Sequence, residues 1–524
     1  MVTDILEKLK TTIGAAEISE VSYEERGYHI SVAASKETLH NVIKFFDDRK
    51  FYFEDMLCVD YKDYLEVVYF FNNYRFLCRV KVTLKVDPAN PHVATMSGIF
   101  DGAAWYEREI HEFFGVVFDG HPNMGYLFLH DGIEFYPLRK GKVRIPPEDR
   151  ERLAYFKVDE QEDAFTVNFG PQHPSTHGVL RVVVKMNGEY VEAAEPVLGY
   201  LHRMQEKMGE NRGFMQFLPN TSRMDYLGPM SFNAAYVSAV EKLCKISVPE
   251  RANIIRAITI ELNRISSHLL WLGAYLADLG GLTPFLYVFD DREQINDILE
   301  RITGSRLTYC YMRFGGLYND VDEKFIEGTR AFIARMYDRL KMYDTLVTKN
   351  VIFINRTKGI GILDEEGARK YGFSGPVLRS VGVPYDIRKT EPYAAYGRIN
   401  FDVPIGKSGD VLDRYMVRVH DMEVSMKIIK QSLDMLSDGP YVAEKVPKKM
   451  KPVAGDVYQA AESPRGEVGV YIVSDGTDTP YRMHWRVPSF SNLIIFPYLA
   501  PGTLIADAIS ILGSLDLCIP EIDR

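Results

Sequence analysis

What the sequence lacks narrows its reading first. Its five cysteines, Cys58, Cys78, Cys244, Cys310 and Cys518, include no C-x-x-C pair. That spacing excludes an iron–sulfur cluster or a tetrahedral zinc site built from a local motif. An odd number of scattered thiols predicts reduced cysteines in a cytosolic setting. If the protein handles electrons, the redox centre belongs to a partner. There is no polybasic run to hold an anionic membrane, and a net charge of −10 argues against a nucleic-acid binder. G-x-S-x-G, H-E-x-x-H, a Walker lysine loop and a strand-linked G-x-G-x-x-G are all missing. Gly359-Ile-Gly361 lacks the third glycine and the βαβ frame. Nothing at Met1-Val-Thr-Asp4 resembles a signal peptide. Leu269 to Phe289 is long enough to span a bilayer, but Gly280-Gly281, Pro284 and the central Asp278 break it, so a buried core helix is expected instead.

At 524 residues the chain is too long for one core. A helix over 4–10, another over Thr38–Asp47 and alternating segments at Tyr28–Ala33, Tyr64–Phe71 and Arg75–Leu84 predict a small α+β domain with a largely antiparallel sheet. Trp105–Gly115 reads as a glycine-stopped helix whose Glu107, Arg108, Glu109 and Glu112 fit a solvated, ion-paired face. The proline-punctuated tail after it keeps apolar residues, as a segment lying against another surface does. Residues 1–140 form the first domain in this reading, 141–162 a charged linker or strap, and 163–524 a second domain. The second opens with a hairpin turning at Asn187-Gly188. It continues with helices at 229–245, 250–279, 290–303, 321–349, 364–371 and 408–436, and it returns to strands from about 455. The fold class is α+β, mainly helical in the second domain.

Chemistry concentrates in four places. Gly170-Pro-Gln-His-Pro-Ser-Thr-His-Gly178 sets His173 and His177 in a proline-stiffened loop before a β-branched core strand. On local chemistry alone these are turn residues with surface histidines. Arg203, in Leu198-Gly-Tyr-Leu-His-Arg203, reads either as a buried cation facing an anionic centre or as a salt bridge to Glu206. Tyr226, beside Asp225, offers a phenolic O–H to a carbonyl oxygen, or simply packs. On the long helix Glu261, Arg264 and His268 share one face, and Asp278 near its end calls for a polar network.

Together these motifs resemble the 49-kilodalton-type (D-type) subunit of respiratory complex I. The likeness runs on through Arg223-Met-Asp-Tyr226, Thr283-Pro-Phe285, Arg388-Lys-Thr-Glu-Pro-Tyr393, Phe401-Asp-Val-Pro404, Gly469–Gly476 and Glu521-Ile-Asp-Arg524. The first domain is similar to the 30-kilodalton-type (C-type) subunit through Glu107-Arg-Glu109, Phe114-Gly115, His121-Pro122 and Pro137-Leu-Arg-Lys140. The chain thus resembles a C–D fusion. The resemblance implies the fold of the nickel–iron hydrogenase large subunit, with its nickel thiolates absent and no metal or cluster of its own. It implies a quinone pocket facing the terminal iron–sulfur cluster of a B-type partner. There His177 and Tyr226 hydrogen-bond the quinone, His173 joins the quinone-binding loop, Asp278 orients or charges His177, and Arg203 sits near the cluster. Implied neighbours are a ferredoxin-like I-type protein, an H-type membrane protein and the other members of complex I. The implied location is peripheral, on the cytoplasmic side of the inner membrane.

Two departures stand out. Thr308 occupies a position where many members carry a histidine beside the cluster, which implies little pH linkage of the cluster potential and suits a low-potential quinone such as menaquinone; the implied substrate is menaquinone or ubiquinone. His121-Pro-Asn-Met-Gly-Tyr126 replaces a usual arginine pair. An energy-converting hydrogenase relative with another acceptor and a non-catalytic scaffold are the competing readings.

Overall fold

The computed structural model describes residues 2–13, 17–146, 164–173, 176 and 178–524. His177 and most of the 141–162 segment lie outside the described residues. The chain begins with α1 (Val2–Ile13), β1 (Glu17–Glu20), α2 (Tyr23–Arg26), β2 (Ile30–Ala34) and α3 (Lys36–Asp48). Strands β3 (Tyr52–Asp60), β4 (Leu65–Asn72) and β5 (Val80–Val86) complete a sheet ordered β1-β2-β5-β4-β3. It is antiparallel as expected except at its centre, where β2 and β5 run parallel with Ile30 opposite Val80. The α3 crossover explains the exception, since its return to the sheet places β2 beside β5 rather than in a hairpin. Strand β3 is buried along its whole length, so no alternation of exposure survives.

After β6 (His92–Ala94) comes α4 (Ala103–Phe114), closed by Gly115 in the left-handed region at φ 80°, and then β7 (Val117–Asp119). The expected solvated face of α4 is not solvated. Glu107, Arg108, Glu109 and Glu112 are all buried. Glu112 accepts from the backbone N–H groups of Leu127, Phe128 and Leu129 at 2.9–3.2 Å, and Arg108 donates to the carbonyls of Gly125 and Tyr126. The charges of α4 therefore hold the apolar tail that follows it, satisfying backbone groups that an irregular segment cannot pair by itself.

The second part opens with an antiparallel sheet of β8 (Ala164–Phe169), β9 (Arg181–Asn187) and β10 (Tyr190–Val197). Next come α5 (Gln205–Asn211), α6 (Phe214–Met224), α7 (Pro229–Cys244), α8 (Glu250–Asp278), α9 (Leu282–Thr303) and α10 (Glu323–Tyr343). A long helix, Val411–Met435, packs on α8, and strands Gly455–Ser463, Gly466–Ser474 and Arg482–Arg486 form a second meander. Helix α8 is buried as expected, but the start of α9 is not. Leu282 and Leu286 are 66% and 64% exposed, so the apolar run at 269–289 continues onto the surface. Among the described residues no helix is long and apolar enough to cross a membrane.

One continuous hydrophobic core runs through both parts. Ion pairs seal the seam. Arg79 joins Glu54 of β3 to Glu391 at 2.8 Å each, and Lys81 reaches Asp456 at 2.7 Å. His484 is held between Asp55 and Glu206 at 3.0 and 2.9 Å, and these carboxylates outweigh its burial and push its pKa up to about 9. All three groups are buried. Paired this closely, they fix the register of the two parts.

Candidate functional site

Helix α6 ends at Asp225, whose extended backbone turns the chain toward α7. Asp225 Oδ1 accepts from the N–H groups of Leu227 and Gly228 at 3.0 and 2.9 Å, and Oδ2 binds Arg465 at 2.7 Å. Both charges are fully buried, so the turn is rigid and Tyr226 is carried on it, half-buried. No hydrogen bond reaches its hydroxyl among the described residues. Burial raises the phenol pKa to about 12, with Cys518 and Asp225 adding to the rise and Arg465 opposing it. Tyr226 is therefore a protonated donor throughout the physiological range, with its donor available.

Behind Tyr226 the polar atoms of Asp225, Cys518 and Glu521 lie within 4.8 Å of one another. Burial, then the neighbouring Asp225 charge, lifts the Cys518 thiol well above its usual value and Glu521 to about 8. Both are protonated near neutral pH. Glu521 Oε1 accepts from the Ser489 N–H at 2.9 Å, while Oε2 accepts no hydrogen bond among the described residues. A nickel centre does not fit here: there is one thiol, and the Arg465 guanidinium already neutralises Asp225.

Arg465 continues the charged interior, with Nε 3.6 Å from Asp516, which in turn lies 3.6 Å from Arg418. Glu261, Arg264 and His268 do share a face. Glu261 meets Arg264 at 3.2 Å and Arg388 at 2.9 Å, and His268 lies 3.5 Å from Asp421. Burial keeps His268 below the usual imidazole range, so it is neutral. Asp421 is claimed by Arg379 and Arg388 at 2.8 Å each. This lattice, spread along α8, backs the site from the core side.

The other expected residues are more dispersed. Asp278 is half-buried at the end of α8, close to Gly513. Asn263 of the same helix holds the Leu227 carbonyl at 3.0 Å. Fifteen residues of helix then separate that anchor from Asp278, about 22 Å along the axis. Trp271 Nε1 donates to the Gly513 carbonyl at 2.8 Å, so the 513–518 stretch connects the two ends. His173 is half-buried, edge-on to Phe169 at 5.5 Å, and its carbonyl accepts from the Thr176 hydroxyl. His177, the group expected between Tyr226 and Asp278, lies outside the described residues. Arg203 is exposed on this chain, so none of the described residues of the chain itself buries it. It makes no salt bridge to Glu206 either, because Glu206 is taken by Arg482 at 2.7 Å and by His484. Thr308 is half-buried with φ 54°, a left-handed conformation that strains a β-branched residue.

Beside Asp278, at the α8–α9 corner, a cavity of about 260 Å³ is lined by Leu276, Leu279, Thr283, Leu346, Phe353 and Arg356. Arg465 and Asp516 escape sequence reasoning altogether, because no spacing rule links Asp225 to a turn 240 residues on. The one available signal is Arg465-Gly466 in a turn between two apolar strands.

Residues 32–145 match the family model described as the respiratory-chain NADH dehydrogenase 30 Kd subunit. Residues 278–453 and 443–524 match the one described as the 49 Kd subunit. The NADH-quinone oxidoreductase D subunit of Syntrophobacter fumaroxidans is 58% identical over 70% of this chain and 99% of its own length. Its counterpart in Desulfotalea psychrophila is 56% identical over 69% of this chain and 98% of its own. The NADH-quinone oxidoreductase C/D 2 subunit of Aquifex aeolicus is 39% identical across 96% of this chain and 97% of its own. With both family models met in one chain and a C/D relative matched almost end to end, this chain belongs to the C/D family of NADH-quinone oxidoreductase subunits.

Proposed function

We propose that this chain is the peripheral-arm subunit that forms, with a B-type partner carrying the terminal iron–sulfur cluster, the quinone-reducing site of a complex I-type oxidoreductase. Partners of the I and H types and the membrane face complete its surroundings. The chain's units in this reading are 1–140 and 163–524, joined by 141–162. The observation that carries the proposal is Tyr226: a protonated phenol whose O–H is unclaimed among the described residues, fixed on a rigid turn.

Reduction of a quinone by two electrons from the partner cluster builds negative charge on both carbonyl oxygens. A preorganised donor stabilises that charge and supplies a proton. Tyr226 serves one oxygen, and His177, with His173 in the same loop, serves the other. Asp278 positions His177, and the exposed Arg203 faces the partner cluster. The apolar cavity at the α8–α9 corner offers a wall for an apolar acceptor next to Asp278.

Tyr226→Phe in the assembled complex tests the reading. Removing one positioned donor lowers quinone reduction by roughly 100-fold. Electron transfer from the donor to an artificial acceptor upstream stays intact. An unchanged quinone rate in an assembled Tyr226→Phe complex leaves only the scaffold reading. Thr308, which lacks a titrating ring, further implies a partner cluster whose potential varies little with pH and a low-potential acceptor such as menaquinone. A redox titration with a steep pH slope refutes that part alone.

A further inference from the structure

We infer that the cleft between α2, the C-terminal end of α7 and residues 447–454 is a binding site for a phosphate ester bearing an apolar group. The cleft encloses about 470 Å³ and is lined by Arg26, Lys242, Lys245, Lys449 and Lys451 against a single carboxylate, Glu25. Its size falls within the usual range for small-ligand pockets. Five cations around one concavity stand out on a chain of net charge −10.

The cationic character is created by folding. The sequence holds no uninterrupted basic run, but residues 445–451 place four lysines in seven positions, separated by valine, proline and methionine. The fold sets this segment opposite the last turn of α7 and the short α2, so that three stretches far apart in the chain converge. Most of these charges have a partial counter-charge. Lys245 meets Glu25 at 3.0 Å, Arg26 lies 3.5 Å from Asp456, and Lys449 lies 3.7 Å from Asp478.

Lys242 differs. It lies over the Tyr23 ring at 5.5 Å, with no carboxylate in ion-pair reach among the described residues. Burial depresses its pKa more than the more distant Glu391 and Glu24 carboxylates raise it, with Arg79 adding to the depression, so the ammonium is incompletely compensated where it lies. An anion entering the cleft completes that compensation, and this sets a site apart from a solvated basic surface. Leu243, Pro447 and Val453 form an apolar wall, Val453 being 78% exposed. A multiply charged phosphate against the lysines and an apolar moiety against this wall match the two surfaces. A nucleotide and an anionic phospholipid headgroup both have that chemistry.

The test uses the full chain. Adenosine triphosphate is titrated calorimetrically at low salt, and flotation with phosphatidylglycerol vesicles is compared with phosphatidylcholine. Saturable binding of one probe is expected, weakened at least tenfold by Lys242→Met and by the Lys449→Ala/Lys451→Ala pair. Lys242→Arg retains it, and Lys349→Ala, on a remote surface, leaves it unchanged. Binding of the soluble nucleotide identifies a free ligand, and flotation alone identifies a lipid headgroup. The proposal fails if neither probe binds saturably, if Lys349→Ala weakens binding as much as Lys242→Met, or if only a polyglutamate peptide binds.

Discussion

Two buried carboxyls, Glu112 on α4 and Glu521 near the C-terminal end, face opposite tasks with the same chemistry. Both are fully buried, and burial lifts both, to about 7 and about 8. Glu112 has its oxygens taken by three consecutive backbone N–H groups. Glu521 has one such bond and an oxygen that accepts no hydrogen bond among the described residues. The first is a staple: its polar capacity is spent holding a tail in place. The second stands in a cluster where Arg465 Nε, Arg418 Nε and Asp516 Oδ2 also lack hydrogen bonds. Satisfied networks rigidify, whereas incompletely satisfied ones hold groups ready for a further partner at a cost in stability. Glu112 and the tail it holds are of the first kind, and the groups behind Tyr226 are of the second.

The sharpest way to break this contrast is Arg465→Leu. It strands Asp225 and Asp516 as buried charges, which costs about 3–5 kcal/mol. The thermal midpoint should fall, and because Asp225 positions Tyr226, the turn should loosen with it. Proteolysis near residue 226 or hydrogen exchange at the Leu227 and Gly228 amides reads that loosening. Wild-type protection at those amides in a folded Arg465→Leu chain means that Arg465 does not anchor the turn.

How much of this was legible follows from the range of each interaction. Helix α7, expected over 229–245 and found at Pro229–Cys244, and the Asn187-Gly188 hairpin are written in neighbouring residues, and the structure follows them closely. The shared face of Glu261, Arg264 and His268 is equally local, set by helical period. What failed depended on distant surroundings. The acidic face of α4 looked solvated because nothing within α4 announces a tail further along the chain that needs acceptors. For Arg203 the nearest acid in sequence, Glu206, looked like the simple partner. Arg482 and His484, far along the chain, claim that acid instead. Tyr226 was singled out by its type and neighbour, but the Arg465–Asp225 pair that fixes it is a contact between chain segments no spacing rule connects.

The gentler test of the contrast is the pH dependence contributed by Glu112. Its folded-state pKa of about 7 lies above its ordinary value of 4.5, so the folded chain retains a proton that the unfolded chain gives up in between. Stability from this group is therefore full below about pH 4.5 and declines as pH rises, by about 1.4 kcal/mol per unit, until the folded carboxyl also ionises near 7. Glu112→Gln, neutral at every pH, removes that slope. The difference in stability between wild type and variant should therefore change across the 4.5–7 window and level off above it. Glu521→Gln should show the same sign with the plateau displaced upward, to about 8. Thermal midpoints of the three chains, followed from about pH 4.5 to about pH 8.5, measure both. Parallel curves for wild type and Glu112→Gln place the Glu112 pKa at its ordinary value. In that case the three amides favour the charged carboxylate by as much as burial disfavours it, and the staple is an ionic one.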